Sequence, residues 1–443
     1  MEIINTLSGQ KEHFKSRLDR QVSMYVCGIT PYDYAHIGHG RCYTVFDLLY
    51  RLLTFLDYKV AYCRNYTDID DKILSRAAKQ LGSSSQYAEI TKTFIAAFKD
   101  DLRQLNCISP TIEPHVTENM DVIITFIQRL VDAGKAYVVD GDVYYDIATF
   151  PEYGKLSKQK LNELQAGARV DIRVDKKNPL DFALWKKESD GEFWKSPWGY
   201  GRPGWHIECS ALAARYLGEQ IDIHAGGADL IFPHHENEIA QSEGLFNKQF
   251  AKYWMHNGFV MINKEKMSKS LNNFFTLRDV FQQFDPMVLR FYILNHHYRS
   301  PLDFSFDDLK SLQKSYQRLC KFFASVDQSA VSVEQMKKSE TVYRMLEFLT
   351  DDLNTPGMWG VVFESLPLLQ ENKDECAIVK CFLFQVMGLT LEPLPEKEMV
   401  VTSEIERLLQ EREQARKAKD WVRADAIRDQ LHALGYAVKD KKL

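Results

Sequence analysis

Val22-Ser23-Met24-Tyr25-Val26-Cys27-Gly28-Ile29-Thr30-Pro31 opens on a short apolar run and closes on a break. Through Cys27 it reads as a buried strand, which Gly28 to Pro31 stops. From about Gly38 to Phe55 the pattern changes period: Phe46, Leu49, Leu52, Leu53 and Leu56 recur at three-to-four spacing, as in an amphipathic helix. Lys59 to Asn65 reads as the next strand. Strand, helix, strand is the start of a parallel, nucleotide-binding sheet.

Working outward, helices are expected over roughly 70–80 and 86–105, with Gly82 stopping the first. Thr117 is placed to cap a helix running to Gly134. Ala136 to Tyr145 then reads as a hairpin around Asp140-Gly141. The stretch on to about Gly204, rich in Lys, Asp, Pro, Gly and Trp, reads as an insertion into the sheet domain. The sheet pattern resumes with a helix over Trp205–Leu217, stopped by Gly218, and a short strand over Ile221–His224. Pro233 suits the first turn of a helix running to about Glu243. Another strand is expected over Tyr253–Ile262, then mostly helix from about Leu309 to Phe384. The tail, Ser403 to Gly435, reads as two helices with Asp420 as the cap between them and Gly435 as the stop.

The chain has 443 residues, too many for one core, with 45% apolar and 26% charged content as in ordinary soluble proteins. A net charge of −5 means that a nucleic-acid partner must be met by local basic patches. The start lacks the pattern of a signal peptide and no apolar run is long enough to span a bilayer, so no membrane is expected. Eight scattered cysteines without a Cys-x-x-Cys pair suggest reduced thiols in a cytoplasm.

Three groups of residues could carry chemistry. His36-Ile37-Gly38-His39 lies between strand and helix, where backbone N–H groups and helix dipole favour an anion. Its imidazoles can donate to phosphate oxygens, and Gly38 permits close approach; alone, the word is equally two surface histidines beside a turn. Lys266-Met267-Ser268-Lys269-Ser270 follows Asn263 in a polar loop. Its lysines could close over a triphosphate and neutralise departing pyrophosphate; alone, it is a solvated basic turn. Together the two words suggest activation of a carboxylic acid by ATP. Thirdly, His234 and Glu238 are four apart on one helical face. With Cys27 and Cys209 they would make a set suited to zinc. Spacing alone favours two buried cysteines and an exposed His/Glu pair.

In six segments the chain closely resembles the bacterial-type cysteinyl-tRNA synthetases, from near Met1 into the tail. These are Met24–Thr30, His36–His39, Thr67-Asp68-Ile69-Asp70-Asp71-Lys72, Gly204–Ala211, Phe232–Glu238 and Lys266–Ser270. The resemblance implies a class I aminoacyl-tRNA synthetase that forms cysteinyl-adenylate and transfers cysteine to tRNA(Cys). The fold it implies is α/β: a Rossmann-like parallel-sheet catalytic domain in two halves (1–120 and 205–308), with a connective insertion over 121–204. A helical bundle (309–400) and a small anticodon-binding region (401–443) follow.

The resemblance also implies that Cys27, Cys209, His234 and Glu238 hold one Zn2+, which would select the substrate thiolate against serine; Mg2+ would accompany ATP. It carries His36, His39, Lys266 and Lys269 over as catalytic groups, and Gly38, Gly227, Asp229 and Lys269 as ATP-binding. Gly28, Thr30, Thr67, Trp205 and His224 would line the cysteine pocket. Arg416, Trp421, Asp425 and Asp440 would contact the anticodon. A monomer in the cytoplasm is expected. The modest insertion agrees with the absence of an editing domain. Departures from the family pattern are Asn272 where glycine is usual, Ala225 and Ala228 where glycine and serine are common, and a tail ending at Leu443. Two alternatives are an enzyme of the same fold joining cysteine to an amino-sugar, against which the helical region and tail argue, and a non-catalytic zinc-containing RNA-binding protein.

Overall fold

The computed structural model describes residues 1–159, 176–189, 191, 193–267, 274–394, 403–418 and 420–433. They form two compact units, Met1–Glu392 and Pro393–Leu443. The expected lysines' loop beyond Met267, including Lys269 and Asn272, lies outside the described residues, as do Gly435 and Asp440.

An N-terminal hairpin, β1 (Glu2–Asn5) with β2 (Gln10–His13), leads into β3 (Gln21–Val26), α1 (Ile37–Phe55) and β4 (Lys59–Cys63). With β10 (Ile221–Gly227) and β11 (Ala251–Asn257), these strands make a parallel sheet in the order β11-β10-β3-β4. That is the sheet expected from the opening stretch. α1 differs from an amphipathic helix: Arg41, Thr44, Asp47 and Arg51 are buried beside its leucines, so it is enclosed on nearly every side. Its buried charges find partners inside the protein, while Arg41 Nε and Thr44 Oγ1 have none among the described residues. Asp47 accepts from Arg51 Nε at 2.8 Å and Arg290 Nη2 at 2.5 Å.

Asp70 caps α2 (Asp71–Leu81) by accepting from Lys72 N–H at 2.9 Å, and Gly82 ends it at φ 82°. Such a cap is worth about 1 kcal/mol. α3 spans Tyr87–Gln104 and α4 spans Met120–Asp132. Thr117 does not cap α4. Its N–H and hydroxyl both donate to the Asp68 carboxylate, at 2.9 and 2.6 Å, and a short 3-10 turn precedes the helix.

The insertion is a five-stranded antiparallel sheet. It contains β5 (Ala136–Val139), β6 (Asp142–Tyr145), β7 (Phe182–Lys187), β8 (Trp194–Ser196) and β9 (Gly199–Pro203) in the order β5-β6-β7-β9-β8. Its first turn is the expected one, with Asp140 at φ 49° and Gly141 at φ 92°.

α5 (Trp205–Leu217) re-enters the main sheet domain at the expected boundaries. β10 runs on past His224 to Gly227, because Gly226 and Gly227 keep pairing with His256 and Asn257. The helix expected from Pro233 begins later, as α6 (Glu236–Phe246). A residue before proline avoids helical ψ, and Phe232 is extended (φ −138°, ψ 134°), so a kinked turn precedes α6. The expected strand over 253–262 is two: β11, then β12 (Val260–Ile262). They part at Gly258, whose Cα packs so near the Arg299 and Ser300 carbonyls that a Cβ would lie 2.6 Å from each. β12 pairs with β13 (Glu265–Lys266) and β14 (Leu302–Asp303).

The rest of the first unit is helical: α7 (Leu277–Gln283), α8 (Pro286–Leu294), α9 (Phe306–Phe323), α10 (Val333–Lys338), α11 (Glu340–Leu349), α12 (Thr355–Glu371) and α13 (Lys373–Gln385). The second unit holds α14 (Ser403–Lys417) and α15 (Trp421–Ala433), which pack through Leu408, Ile427 and Leu431. Asp420 caps α15, accepting from Arg423 N–H at 3.1 Å. No described helix is long and apolar enough to cross a membrane.

Candidate functional site

Ligands of parallel sheets sit at the carboxyl ends of the strands. Cys27 follows β3 there, Cys209 lies early in α5, the kinked turn before α6 supplies His234, and the first turn of α6 supplies Glu238. One donor atom from each of these four buried residues lies within 4.8 Å of the other three. The sequence spacing had favoured unrelated groups; the fold closes the 182-residue gap between the cysteines to 4.0 Å between sulfurs.

A second overlapping set, Cys27, His224, His235 and Glu238, meets the same limit. Its two histidines, however, hold the first set from outside. His224 Nε2 lies 2.8 Å from Glu238 Oε2, and His235 Nε2 lies 3.2 Å from Cys27 Sγ. His235 Nδ1 continues to His256 at 2.8 Å. His234 turns Nε2 to Glu238 Oε1 at 3.1 Å while Nδ1 meets His206 at 3.0 Å. Partners outside a ligand shell that orient its members are usual in metal sites.

Electrostatics favour cation binding. Burial pushes Glu238 up, but the His224 and His234 imidazoles outweigh it and hold the carboxyl near 2. Burial lowers His234, yet Glu238 and then Cys209 raise it to about 10. The hydrogen bond from Cys27 draws Cys209 down to about 6 against burial, whereas burial drives Cys27 well up. Two sulfurs, an imidazole and a carboxylate, packed without solvent, are the donor chemistry of zinc.

Of these four ligands Cys27 lines a cavity of about 420 Å3, and Cys209, His234 and Glu238 stand behind it. Of the candidate site residues, Cys27, Gly28, Thr30, His36, Gly38, His39, Trp205, Gly227 and Asp229 line it. Trp205 is 39% exposed and its ring centroid lies 4.3 Å from that of His234, so it walls the metal end. Gly28 has no room for a side chain: a Cβ would lie 1.5 Å from Asn65 O. Thr67 and His224 do not line the cavity. Thr67 donates to the buried Glu208 carboxyl at 2.9 Å, and His224, fully buried, stacks on Trp254 at 4.5 Å.

His36 caps α1 in a reciprocal arrangement with His39. Each backbone N–H donates to the other's Nδ1, at 3.2 and 3.4 Å, and the rings stack at 3.7 Å. A ring nitrogen that accepts carries no proton, so each neutral imidazole keeps its proton on Nε2 as a donor. Burial, then His36, pushes His39 well below the ordinary range, so it acts as a neutral donor.

The segment after the lysine-rich word is bound to this turn: Ile37 N–H donates to Phe275 O at 3.2 Å and Leu277 N–H to Ala35 O at 2.8 Å. Met267 also lines the cavity. The flanks of both words thus meet in one place, although Lys269 and the Lys266 side chain lie outside the described residues. In the tail, Arg416 is half-buried, and Asp425 is exposed with Arg428 at 2.8 Å; the Trp421 side chain and Asp440 lie outside the description.

Sequence reasoning missed several groups. Tyr32, Lys72, Asn257 and Phe259 also line the cavity. Asn65 Oδ1 accepts from Gly28 N–H at 2.9 Å and lies 3.8 Å from the Cys209 sulfur, so Asn65 sits between the pocket floor and a metal ligand. Its position at the carboxyl end of a parallel strand was the available signal.

Solved structures with this architecture include Mycobacterium tuberculosis methionyl-tRNA synthetase in complex with methionyl-adenylate. It matches at TM-score 0.60 and 13% identity over 84% of this chain and 92% of that one. The Agrobacterium radiobacter K84 agnB2 LeuRS ternary complex matches at TM-score 0.58 and 11% identity, over 88% and 89%. The catalytic fold is therefore that of the class I aminoacyl-tRNA synthetases.

Residues 13–314 match the family of tRNA synthetases class I (C) catalytic domain, and residues 400–443 match the cysteinyl-tRNA ligase anticodon binding domain. The cysteine--tRNA ligase of Trichlorobacter lovleyi is 48% identical over 469 aligned residues, covering 97% of this chain and 96% of that protein. That of Geobacillus sp. is 46% identical over 461, covering 99% and 97%. The chain belongs to the cysteine--tRNA ligases. This likeness, running through the tail, favours neither the amino-sugar enzyme nor the non-catalytic protein.

Proposed function

We propose that the chain activates L-cysteine with ATP and loads it onto tRNA(Cys), selecting cysteine through a zinc ion held by Cys27, Cys209, His234 and Glu238. The observation that carries this is the meeting of those four donors within 4.8 Å, one of which, Cys27, lines the same cavity as His36, Gly38 and His39. When bound, zinc supplies a borderline-soft Lewis acid that favours a thiolate over a hydroxyl. A purely apolar pocket separates such near-isosteres poorly.

The remaining work falls to the protein. A cysteine carboxylate oxygen attacks the α-phosphorus of ATP; the bond to the bridging oxygen breaks and pyrophosphate leaves with its electrons. The terminal ribose hydroxyl of the tRNA then attacks the cysteinyl carbonyl, and AMP leaves. No side chain acts as nucleophile, so catalysis is positioning and charge stabilisation. Trp205 walls the thiol end. Gly28 and Thr30 border the amino-acid moiety, while Thr67 and His224 act from behind it through Glu208 and Glu238. His36 and His39 direct Nε2–H donors at phosphate oxygens, and Gly38 lets the nucleotide approach. Lys266 and Lys269 offset charge on the leaving pyrophosphate, with Mg2+ accompanying ATP. Gly227 and Asp229 serve the adenosine.

Residues 1–120 and 205–308 are assigned to catalysis, 121–204 to a connective insertion and 309–400 to a helical bundle. In 401–443, Arg416, Trp421, Asp425 and Asp440 are assigned to the anticodon, where stacking and ion pairing read unpaired bases. The enzyme is assigned as a cytoplasmic monomer. Labelled-cysteine transfer tests the reading: tRNA(Cys) should become charged and a tRNA with a different anticodon should not. Equal charging of both would overturn the anticodon assignment.

A further inference from the structure

Asn257 ends β11, lines the cavity and is only 4% exposed. Its Nδ2 donates to Gly258 O at 3.1 Å. That carbonyl is also held by Arg41 Nη1, at 3.0 Å. A reversed amide would set Oδ1 against the carbonyl oxygen, so the hydrogen bond fixes which atom faces where. Oδ1 has no hydrogen-bond partner among the described residues. A buried acceptor left this way in a native protein calls for an explanation, and in a binding cavity the direct one is a ligand that brings the donor.

The sheet register places that donor. Asn257 is the partner of Gly227 on β10, and β10 pairs in turn with β3, whose carboxyl end carries Cys27. Asn257 is therefore two strands from the metal end, roughly 10 Å by strand spacing. With cysteine at the metal ligands and phosphates at His36 and His39, the nucleoside falls at β10 and β11. Adenosine offers two kinds of donor, the ribose hydroxyls and the 6-amino group. The exposed Asp229 carboxylate, beside Gly227, suits hydroxyls. Asn257 is neutral, buried and flanked by Phe259 and Val260 in the cavity wall, which suits a flat base.

We infer that Asn257 Oδ1 accepts the hydrogen bond of the adenine 6-amino group, and so selects adenine over 6-oxo purines, whose acceptor it would oppose. The inference rests on the ATP-dependent reading above. It makes Asn257 a specificity-determining residue for the nucleotide.

The test uses cysteine-dependent pyrophosphate exchange by the full-length, metal-loaded protein. It compares ATP with purine riboside triphosphate, which lacks only the 6-amino group, and with inosine triphosphate. In the unsubstituted enzyme kcat/KM should fall on the order of tenfold without the amino group, as for one hydrogen bond, and further with the 6-oxo group. In Asn257→Ala, which leaves Gly258 O its bond from Arg41, ATP should drop to the purine riboside value. Equal losses on both nucleotides in the variant, or no preference in the unsubstituted enzyme, would overturn the inference. The latter comparison needs no variant to fold. If ATP itself gave no exchange, the ligase reading would fail; equilibrium binding of the two triphosphates would then still decide the role of Asn257.

Discussion

Replacing Arg41 by methionine should loosen the floor on which the cavity is built. Arg41 follows His39 by two residues on α1 and is 1% exposed. Its guanidinium donates to Gly258 O at 3.0 Å, Phe259 O at 2.9 Å, His297 O at 3.3 Å, Tyr298 O at 3.0 Å and Ser300 O. No carboxylate pairs with it among the described residues. Burial lowers its pKa to about 10, so it stays charged at neutral pH.

The variant keeps the apolar stem and loses every donor. Gly258 O retains Asn257 Nδ2 at 3.1 Å, and Tyr298 O retains Gly258 N–H at 2.8 Å. Phe259 O retains Leu302 N–H at 2.9 Å, and His297 O retains Ser300 N–H at 3.1 Å. Taking the low figure of about 1.5 kcal/mol for each bond to a charged group gives a loss of roughly 7 kcal/mol. Relief of the buried cation, read from this lowering, returns roughly 3 kcal/mol. A net local cost of about 4 kcal/mol remains, close to the usual price of removing one partner from a buried charged network.

The assay is amide hydrogen exchange at Gly258 and Leu302, whose N–H groups bridge the two loops, and at Ser300, whose N–H closes the turn back to His297 O. Exchange there should accelerate about a thousandfold while amides of β3 and β4 hold their rates. Exchange at the three amides within threefold of the unsubstituted protein would refute the view that Arg41 ties α1 to the chain entering the lysine-rich word.

Other outcomes follow from the same geometry. Cys209→Ser should lose stoichiometric metal and at least a hundredfold in cysteine activation, on the order seen for loss of a ligand or its support. Full metal content by elemental analysis with unchanged activation would contradict the ligand set. Gly28→Ala must displace Asn65 O, 1.5 Å from the added carbon, so cysteine activation should be abolished in a protein whose circular dichroism is retained. Undiminished activity would mean that this close approach is not needed.

His115 lies 3.1 Å from Asp68, whose hydrogen bond raises its pKa against partial burial. A histidine raised on folding contributes stability in full below its unfolded value, about 6.5, and loses it as pH rises through the folded value. His115→Gln should therefore lower Tm more at pH 5.5 than at pH 8.5. A gap that is equal, or larger at the higher pH, would count against the pair.

Much of the sheet was legible because its signals are local. The apolar run at 22–27, the spacing through Leu56 and the Asp140-Gly141 turn each carry their own geometry, and α5 kept both expected ends. What was not legible depends on residues distant in the chain. β11 and β12 part at Gly258 because the 299–300 carbonyls press on it. Thr117 serves Asp68, 49 residues earlier, instead of its own helix. Gly226 and Gly227 look like a turn yet continue a strand, since β11 offers them partners.

At the site, the two phosphate words were visible as words, whereas the metal set was not. Its cysteines lie 182 residues apart, and only resemblance to a family joined them before the fold did. His235, His256 and Asn257 carry no local pattern at all; their roles come from which strand ends lie side by side.

The central claim is that a thiolate-selecting metal and an ATP site share one cavity. Cysteine-dependent exchange of pyrophosphate into ATP by the metal-loaded protein, with serine as control, tests it most directly. Cysteine should support exchange, serine should not, and removal of the metal should abolish the difference between them. Exchange with serine at the cysteine rate, or none with cysteine, would contradict the account.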